Sequence, residues 1–325
     1  MKRLFLSLVS AIALGLGAMA QDSRVATLQH GTNFRTYYGT DAFISAHADA
    51  ADGDVITLTE GEFNGCEVTK AITVRGEGMG KTVLTKGSFL FNIPKDCPYS
   101  LCLEGLRLKT NAWFQQENIV IQSTGGSASA LISKCDFAAS YIGFNNCSAV
   151  IIDSHIWKGI QSSGNSSVNC INSKLTAIEG STFDIQNCII DGNGFSNQVT
   201  NSIIKNSIIY SVCTIDNTNT TSNCLVKEGS SGFANSWYIK TEVDPNPDPW
   251  GEDPETPVLW DELFGEDYHL TDAAAATYIG TDGTQVGIWG GAYPWNETPD
   301  YPLVNKLEVK GIHEDGKLQV KINVE

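Results

Sequence analysis

Seven side chains in the middle of this 325-residue chain have the types that hold a sugar: Asp136, Asp153, His155, Trp157, Lys158, Lys174 and Tyr210. Aromatic faces stack on the apolar face of a sugar ring, and carboxylates, imidazole and amines fix its hydroxyls. Asp136, His155 and Lys174 also have the acid and base types that could move protons in a lyase or hydrolase site. A plainer reading packs Trp157 against the stretch from Trp113 to Ser129 and leaves His155 as a solvated surface residue. The difference depends on which elements carry these residues and in what register.

A second chemical pattern lies further on. Asp244, Asn246, Asp248, Glu252 and Glu255 occupy positions 1, 3, 5, 9 and 12 of an EF-hand calcium loop. Pro249 stands where that loop needs a glycine, and the surrounding prolines favour an extended linker over a metal cage. Calcium is the one cofactor the sequence raises.

What positions the first set is a repeat. Six times the chain writes Asn or a substitute, then Cys or Ser, then any residue, then an aliphatic or aromatic one. The copies are Lys134-Cys135-Asp136-Phe137, Asp153-Ser154-His155-Ile156, Asn172-Ser173-Lys174-Leu175, Asn187-Cys188-Ile189-Ile190, Asn206-Ser207-Ile208-Ile209 and Asn223-Cys224-Leu225-Val226. Their second positions step by 19, 19, 15, 19 and 17 residues, which suits one coil of a solenoid and is too short for a domain. Apolar residues alternate with polar ones on both sides, as in strands with one buried face. Asn tolerates left-handed backbone geometry and reads as the bend between them.

Column by column, the repeat says more. Directly after the Cys or Ser come Asp136, His155 and Lys174, then Ile189, Ile208 and Leu225. An exposed aliphatic stack is unfavourable, so another segment, most simply residues 241–295, is predicted to roof the last three coils, a partner protein being the alternative cover. The polar shelf should lie at that boundary, with Trp157 and Tyr210 about 14 Å apart along it. Of the nine cysteines, Cys135, Cys188 and Cys224 share a column but never adjacent coils, so they read as packing residues that cannot cross-link. Cys97 and Cys102 are the close pair for which a loop disulfide stays open.

The segment from Thr40-Asp41-Ala42-Phe43-Ile44 through Asp52-Gly53-Asp54-Val55-Ile56-Thr57-Leu58 to Thr59-Glu60-Gly61-Glu62-Phe63 resembles the opening of right-handed parallel β-helix proteins of the pectin-lyase-like superfamily. Ala71-Ile72-Thr73-Val74-Arg75-Gly76 and Leu103-Glu104-Gly105-Leu106-Arg107-Leu108 look like its early coils. The stretch from Tyr268-His269-Leu270 to Tyr293-Pro294-Trp295 is similar to the closing coil of secreted β-helix proteins from Gram-negative gut bacteria. From the residues themselves, Asp41 can cap a short helix with Phe43, Ile44 and the alanines on its buried face. The resemblance covers residues 40–295 and implies the fold, with a helix covering the open end of the core. It implies no one activity, because the superfamily holds lyases, hydrolases, adhesins and proteins without chemistry. Its pectate lyases use calcium and an arginine base; no Arg follows Arg107, although Lys158, Lys174 and Lys205 remain. Its polygalacturonases need paired aspartates, a His-Gly and a later Arg-x-Lys; here His30-Gly31 precedes the coils and Arg107-Leu108-Lys109 comes too early.

Residues 1–20 read as a secretory signal, with Lys2 and Arg3 before an apolar run and Ala18-Met19-Ala20 at its end. The formal charge is −16, or −18 once Lys2 and Arg3 are gone. That argues against nucleic acid and anionic membranes as partners, and no further apolar run approaches a transmembrane segment. The expectation is an all-β, right-handed single-stranded parallel β-helix with an N-terminal capping helix and a C-terminal hairpin or arm. Its parts are a signal peptide at 1–20, a cap at 21–53, coils at 54–240 interrupted by a longer excursion around Trp113 to Ser129, an acidic Pro-rich arm at 241–265, a closing coil at 266–300 and a β-hairpin at 301–325. The protein is expected to be exported to the periplasm, cell surface or medium. It should bind a polysaccharide or another surface protein without catalysis. The alternatives are a polysaccharide lyase or hydrolase at an unrecognised site, and a structural component pairing through its terminal hairpin.

Overall fold

The computed structural model describes residues 23–95, 97–110, 119–123, 125–138, 141–195, 199–242, 258–299, 304–312 and 318–324. The chain is dominated by β-strands, and most of them run in long parallel sheets. A first ladder climbs from Val55–Leu58 through Thr73–Arg75, Leu101–Glu104, Ala128–Ser133, Cys147–Ile152, Ser167–Ile171, Phe183–Gln186 and Ile203–Lys205 to Thr220–Ser222, each strand parallel to the next. A second climbs from Gly61–Asn64 through Thr82–Lys86, Arg107–Thr110, Asp136–Ala138, His155–Ile156, Lys174–Glu179, Ile189–Phe195, Ile208–Ile209 and Leu225–Lys227 to Trp237–Ile239. A third, shorter ladder joins Phe89–Ile93, Ile119–Ser123, Tyr141–Asn145 and Gly159–Ser163. The chain visits the ladders in turn, an arrangement consistent with a parallel β-helix.

The bends follow the repeat. Lys134, Asp153, Asn172, Asn187, Asn206 and Asn223, the first residue of each copy, all have φ between 45 and 53°, the left-handed region that Asn enters most readily. Asn235, also at positive φ, opens a seventh copy, Asn235-Ser236-Trp237-Tyr238, hidden by its shorter step. The second residues, Cys135, Ser154, Ser173, Cys188, Ser207 and Cys224, are all fully buried. Ser154, Ser173 and Ser207 each donate to the carbonyl two residues back at 2.8 Å. Each also accepts the backbone N–H of the coil before it, from Cys135, Ser154 and Cys188 respectively, at 3.1–3.2 Å. A buried hydroxyl is tolerated only when so paired. All nine cysteines are free thiols, Cys97 and Cys102 included.

Three expectations need correction. The stretch from Trp113 to Ser129 is not simply an excursion, since Ile119–Ser123 is a strand of the third ladder with Ile119 and Ile121 buried. The helix Ala42–Asp49 buries Ala42, Phe43, Ala46 and His47, whereas Ile44 is exposed, because its helical position points away from the face those four share. Asp41 makes no side-chain cap; its carboxylate accepts the Asn64 amide at 2.6 Å instead. An antiparallel pair ahead of the helix, Val25–His30 with Asn33–Tyr38, adds to the start of the first ladder.

The apolar half of the outward column is covered. Ile189, Ile208 and Leu225 are at most 1% exposed and form a second core with Trp260, Leu263, Leu270, Val286 and Ile288. Residues 258–299 therefore roof the late coils from within the same chain. Outward-facing amides of the bend column hold the roof down. Asn223 Nδ2 donates to Ile279 O and Asn172 Nδ2 to both Ile288 O and Gly290 O, each at 2.8 Å. Asn187 and Asn206 both donate to Asp282 Oδ2, at 3.2 and 3.1 Å. Further along, Lys134 Nζ reaches Thr298 O at 2.6 Å. Val304–Ile312 and Leu318–Val324 pair antiparallel as a separate two-stranded sheet.

Candidate binding cleft

The second ladder places Arg107, Asp136, His155 and Lys174 side by side on successive strands, in direct register with Ile189, Ile208 and Leu225. Adjacent strands lie about 4.8 Å apart, so these four side chains interact as a row. Asp136 Oδ2 meets Arg107 Nε at 3.1 Å, and its Oδ1 accepts Trp157 Nε1–H at 2.7 Å. Burial nonetheless raises the Asp136 carboxyl above its ordinary range, with Arg107 and the Trp157 hydrogen bond opposing the rise and Glu297 adding to it. The Trp157 ring rests on the His155 ring, centroids 4.2 Å apart. Burial, assisted by the Lys174 and Arg107 charges and opposed by Asp191, lowers the His155 imidazole to about 4. It is therefore neutral near pH 7 and able to accept a hydrogen bond.

Where the polar row meets the roof, a cleft of about 260 Å³ opens, lined by His155, Trp157, Lys174, Thr176, Asp191 and Tyr268 among others. The Tyr268 hydroxyl donates to the Asp191 carboxylate; burial, that hydrogen bond and the Asp191 charge all raise the phenol. Lys174 Nζ lies 5.9 Å from the Tyr268 ring centre and 5.0 Å from that of Trp295. Lys174 also lines a second cleft of about 280 Å³, together with Asp267, Trp289, Trp295, Asn296 and Glu297. Trp295 Nε1 donates to Glu297 Oε1 at 3.2 Å, and the Trp289 ring stacks on His269 at 3.7 Å.

Of the residues singled out from the sequence, Asp136, His155, Trp157 and Lys174 come together. Asp153 is buried at a bend and Lys158 is exposed; neither lines the cleft. Tyr210 lies beneath the roof, packed edge-on against Trp260 and Tyr268 at 5.5 and 5.4 Å, so it forms no open groove with Trp157. Arg107 could have been found from its place one coil before Asp136. Asp191, directly after the copy Asn187-Cys188-Ile189-Ile190 on the strand Ile189–Phe195, was within reach of the same repeat; Tyr268, Asp267 and Glu297 were not, because the repeat does not fix where the roof sets its side chains.

The Asp244, Asn246, Asp248, Glu252 and Glu255 set lies outside the described residues, as does the segment 1–20. Among the described residues, no three His, Cys, Asp or Glu side chains converge on a point that could hold a metal, and no helix is long and apolar enough to cross a membrane. Burial pushes the thiols of Cys135 and Cys188 up to about 12, which suits packing and not nucleophilic chemistry. No family model matches the chain, and neither does any curated protein or solved structure compared with it.

Proposed function

We propose that this is an exported, right-handed parallel β-helix of the pectin-lyase-like kind whose helix Ala42–Asp49 caps the N-terminal end of its core. We propose further that it binds a glycan at the cleft beside Trp157 without transforming it. Trp157 carries the binding reading: the residue is 50% exposed, yet the ring is fixed by His155 beneath it and by its hydrogen bond to Asp136. A large aromatic face held open at the mouth of a polar cleft suits a sugar ring, and nothing in the packing of the core requires it. A glycan array followed by calorimetry tests this. At least one glycan should bind, and Trp157→Ala should weaken it about tenfold or more; equal binding by that variant would defeat the assignment.

A second reading, catalysis in the same cleft, is favoured by one observation: neutral His155, Asp191 and Lys174 face one space, so a base and a carboxylate are both at hand. Release of reducing or unsaturated ends from polysaccharides, abolished by His155→Ala, would support it. Unchanged polysaccharide after prolonged incubation would leave binding alone.

A further inference from the structure

We infer that the two clefts that share Lys174 are adjoining subsites for one neutral oligosaccharide of at least two sugar units, which crosses the lysine. This inference rests on the glycan-binding reading. Each cleft, at about 260 and 280 Å³, falls below the roughly 300 Å³ at which ordinary ligand pockets begin; joined, they come within that range. Each also has its own aromatic wall, Trp157 in the first and Trp289 with Trp295 in the second. Lys174 lines both and stands against the Tyr268 and Trp295 rings, a position from which its ammonium can donate to oxygens near a glycosidic linkage.

The charges select neutral sugars. Asp191 faces the first cleft, and Asp267 and Glu297 the second. Against them stand Lys174 and an imidazole that is neutral near pH 7, on a chain of formal charge −16. Carboxylates accept hydrogen bonds from sugar hydroxyls, but they repel uronates and sulfated sugars. Linking two weakly held units gains affinity because the second binds at a high effective concentration.

The test is calorimetry on the whole protein with cello-, xylo-, manno- and chito-oligosaccharides of one to six units, and oligogalacturonates as the acidic series. One neutral series should gain at least tenfold in affinity between one unit and three, with little change between low and high salt. Trp157→Ala and Glu297→Ala alter exposed side chains in different clefts. Each should cut trisaccharide affinity about tenfold, with the circular dichroism spectrum unchanged. Equal affinity for one unit and three, indifference to Glu297→Ala, or tighter salt-sensitive binding of oligogalacturonates would overturn the two-subsite inference while leaving glycan binding standing. Absence of binding by every series would defeat both.

Discussion

Ser207 shows how much of the solenoid is held together by single buried atoms. Its hydroxyl donates to Lys205 O at 2.8 Å and accepts the Cys188 N–H from the previous coil at 3.1 Å. Ser207→Ala should strand that N–H in a dry core and cost about 1–3 kcal/mol, seen as a lower urea midpoint. Ser207→Cys should cost less, since thiols already occupy the same column at Cys188 and Cys224; a larger loss for Cys than for Ala would refute this account. At the site, His155 makes a pH prediction. The unfolded imidazole titrates near 6.5 and the folded one at about 4. Between those values the unfolded chain binds more protons, so stability should rise with pH across that window and be fully present above it. An NMR titration placing His155 at or above 6.5 would contradict the burial seen here. The bends were legible in the sequence because Asn states its backbone preference by type. The hydroxyl bridges were not, because their partners are backbone groups of another coil.

At the scale of elements, the bend amides do a second task that the repeat could not announce. An Asn at a left-handed turn is already explained by its backbone, so nothing in the sequence marks Asn172, Asn187, Asn206 and Asn223 as the fastenings of the roof. The roof itself was legible from three aliphatic residues standing outward in register. Asn206 is the densest fastening: besides its bond to Asp282, its Oδ1 accepts Thr281 N–H at 2.8 Å and its carbonyl accepts Gly287 N–H at 2.8 Å. Asn206→Ala should therefore speed hydrogen exchange and limited proteolysis across 258–299 while the early coils stay protected; uniform exchange along the chain would count against a latch. Burial pushes the Asp282 carboxyl up, but bonds from the Thr284 N–H and hydroxyl and from both amides outweigh it and hold its pKa below the usual value. This contribution is present above the unfolded value of about 3.9 and is lost as pH falls through the lower folded value. The roof should thus loosen in acid before the coils do. At Gly287, φ is 87° and an added Cβ would lie 2.5 Å from Ile208 Cδ1, so Gly287→Ala should loosen the same contact from the other side.

For the whole molecule, the roof decides whether the late coils can stand at all. Fully burying an Ile or Leu side chain is worth about 1.5–3 kcal/mol, and Ile189, Ile208 and Leu225 are buried against the roof, on the face away from the main core. Together they contribute an amount comparable to the roughly 5–15 kcal/mol net stability of an ordinary domain. A solenoid spreads its stability along neighbouring coils, so the loss should be local. The early coils carry Asp136, His155 and Lys174 outward and need no cover to be soluble; the late ones present a bare aliphatic stripe without it. A chain ending at Glu242 should therefore keep the circular dichroism of parallel sheet, bind a hydrophobic dye, associate in solution, and unfold in two steps where the full chain unfolds in one. Replacing Ile189, Ile208 and Leu225 together by Thr in that shortened chain should restore a monomer, because threonine has the β-branched shape that suits a strand and presents a hydroxyl to water. A shortened chain that stays monomeric and unfolds in one step with the original aliphatics would show that the stripe needs no roof.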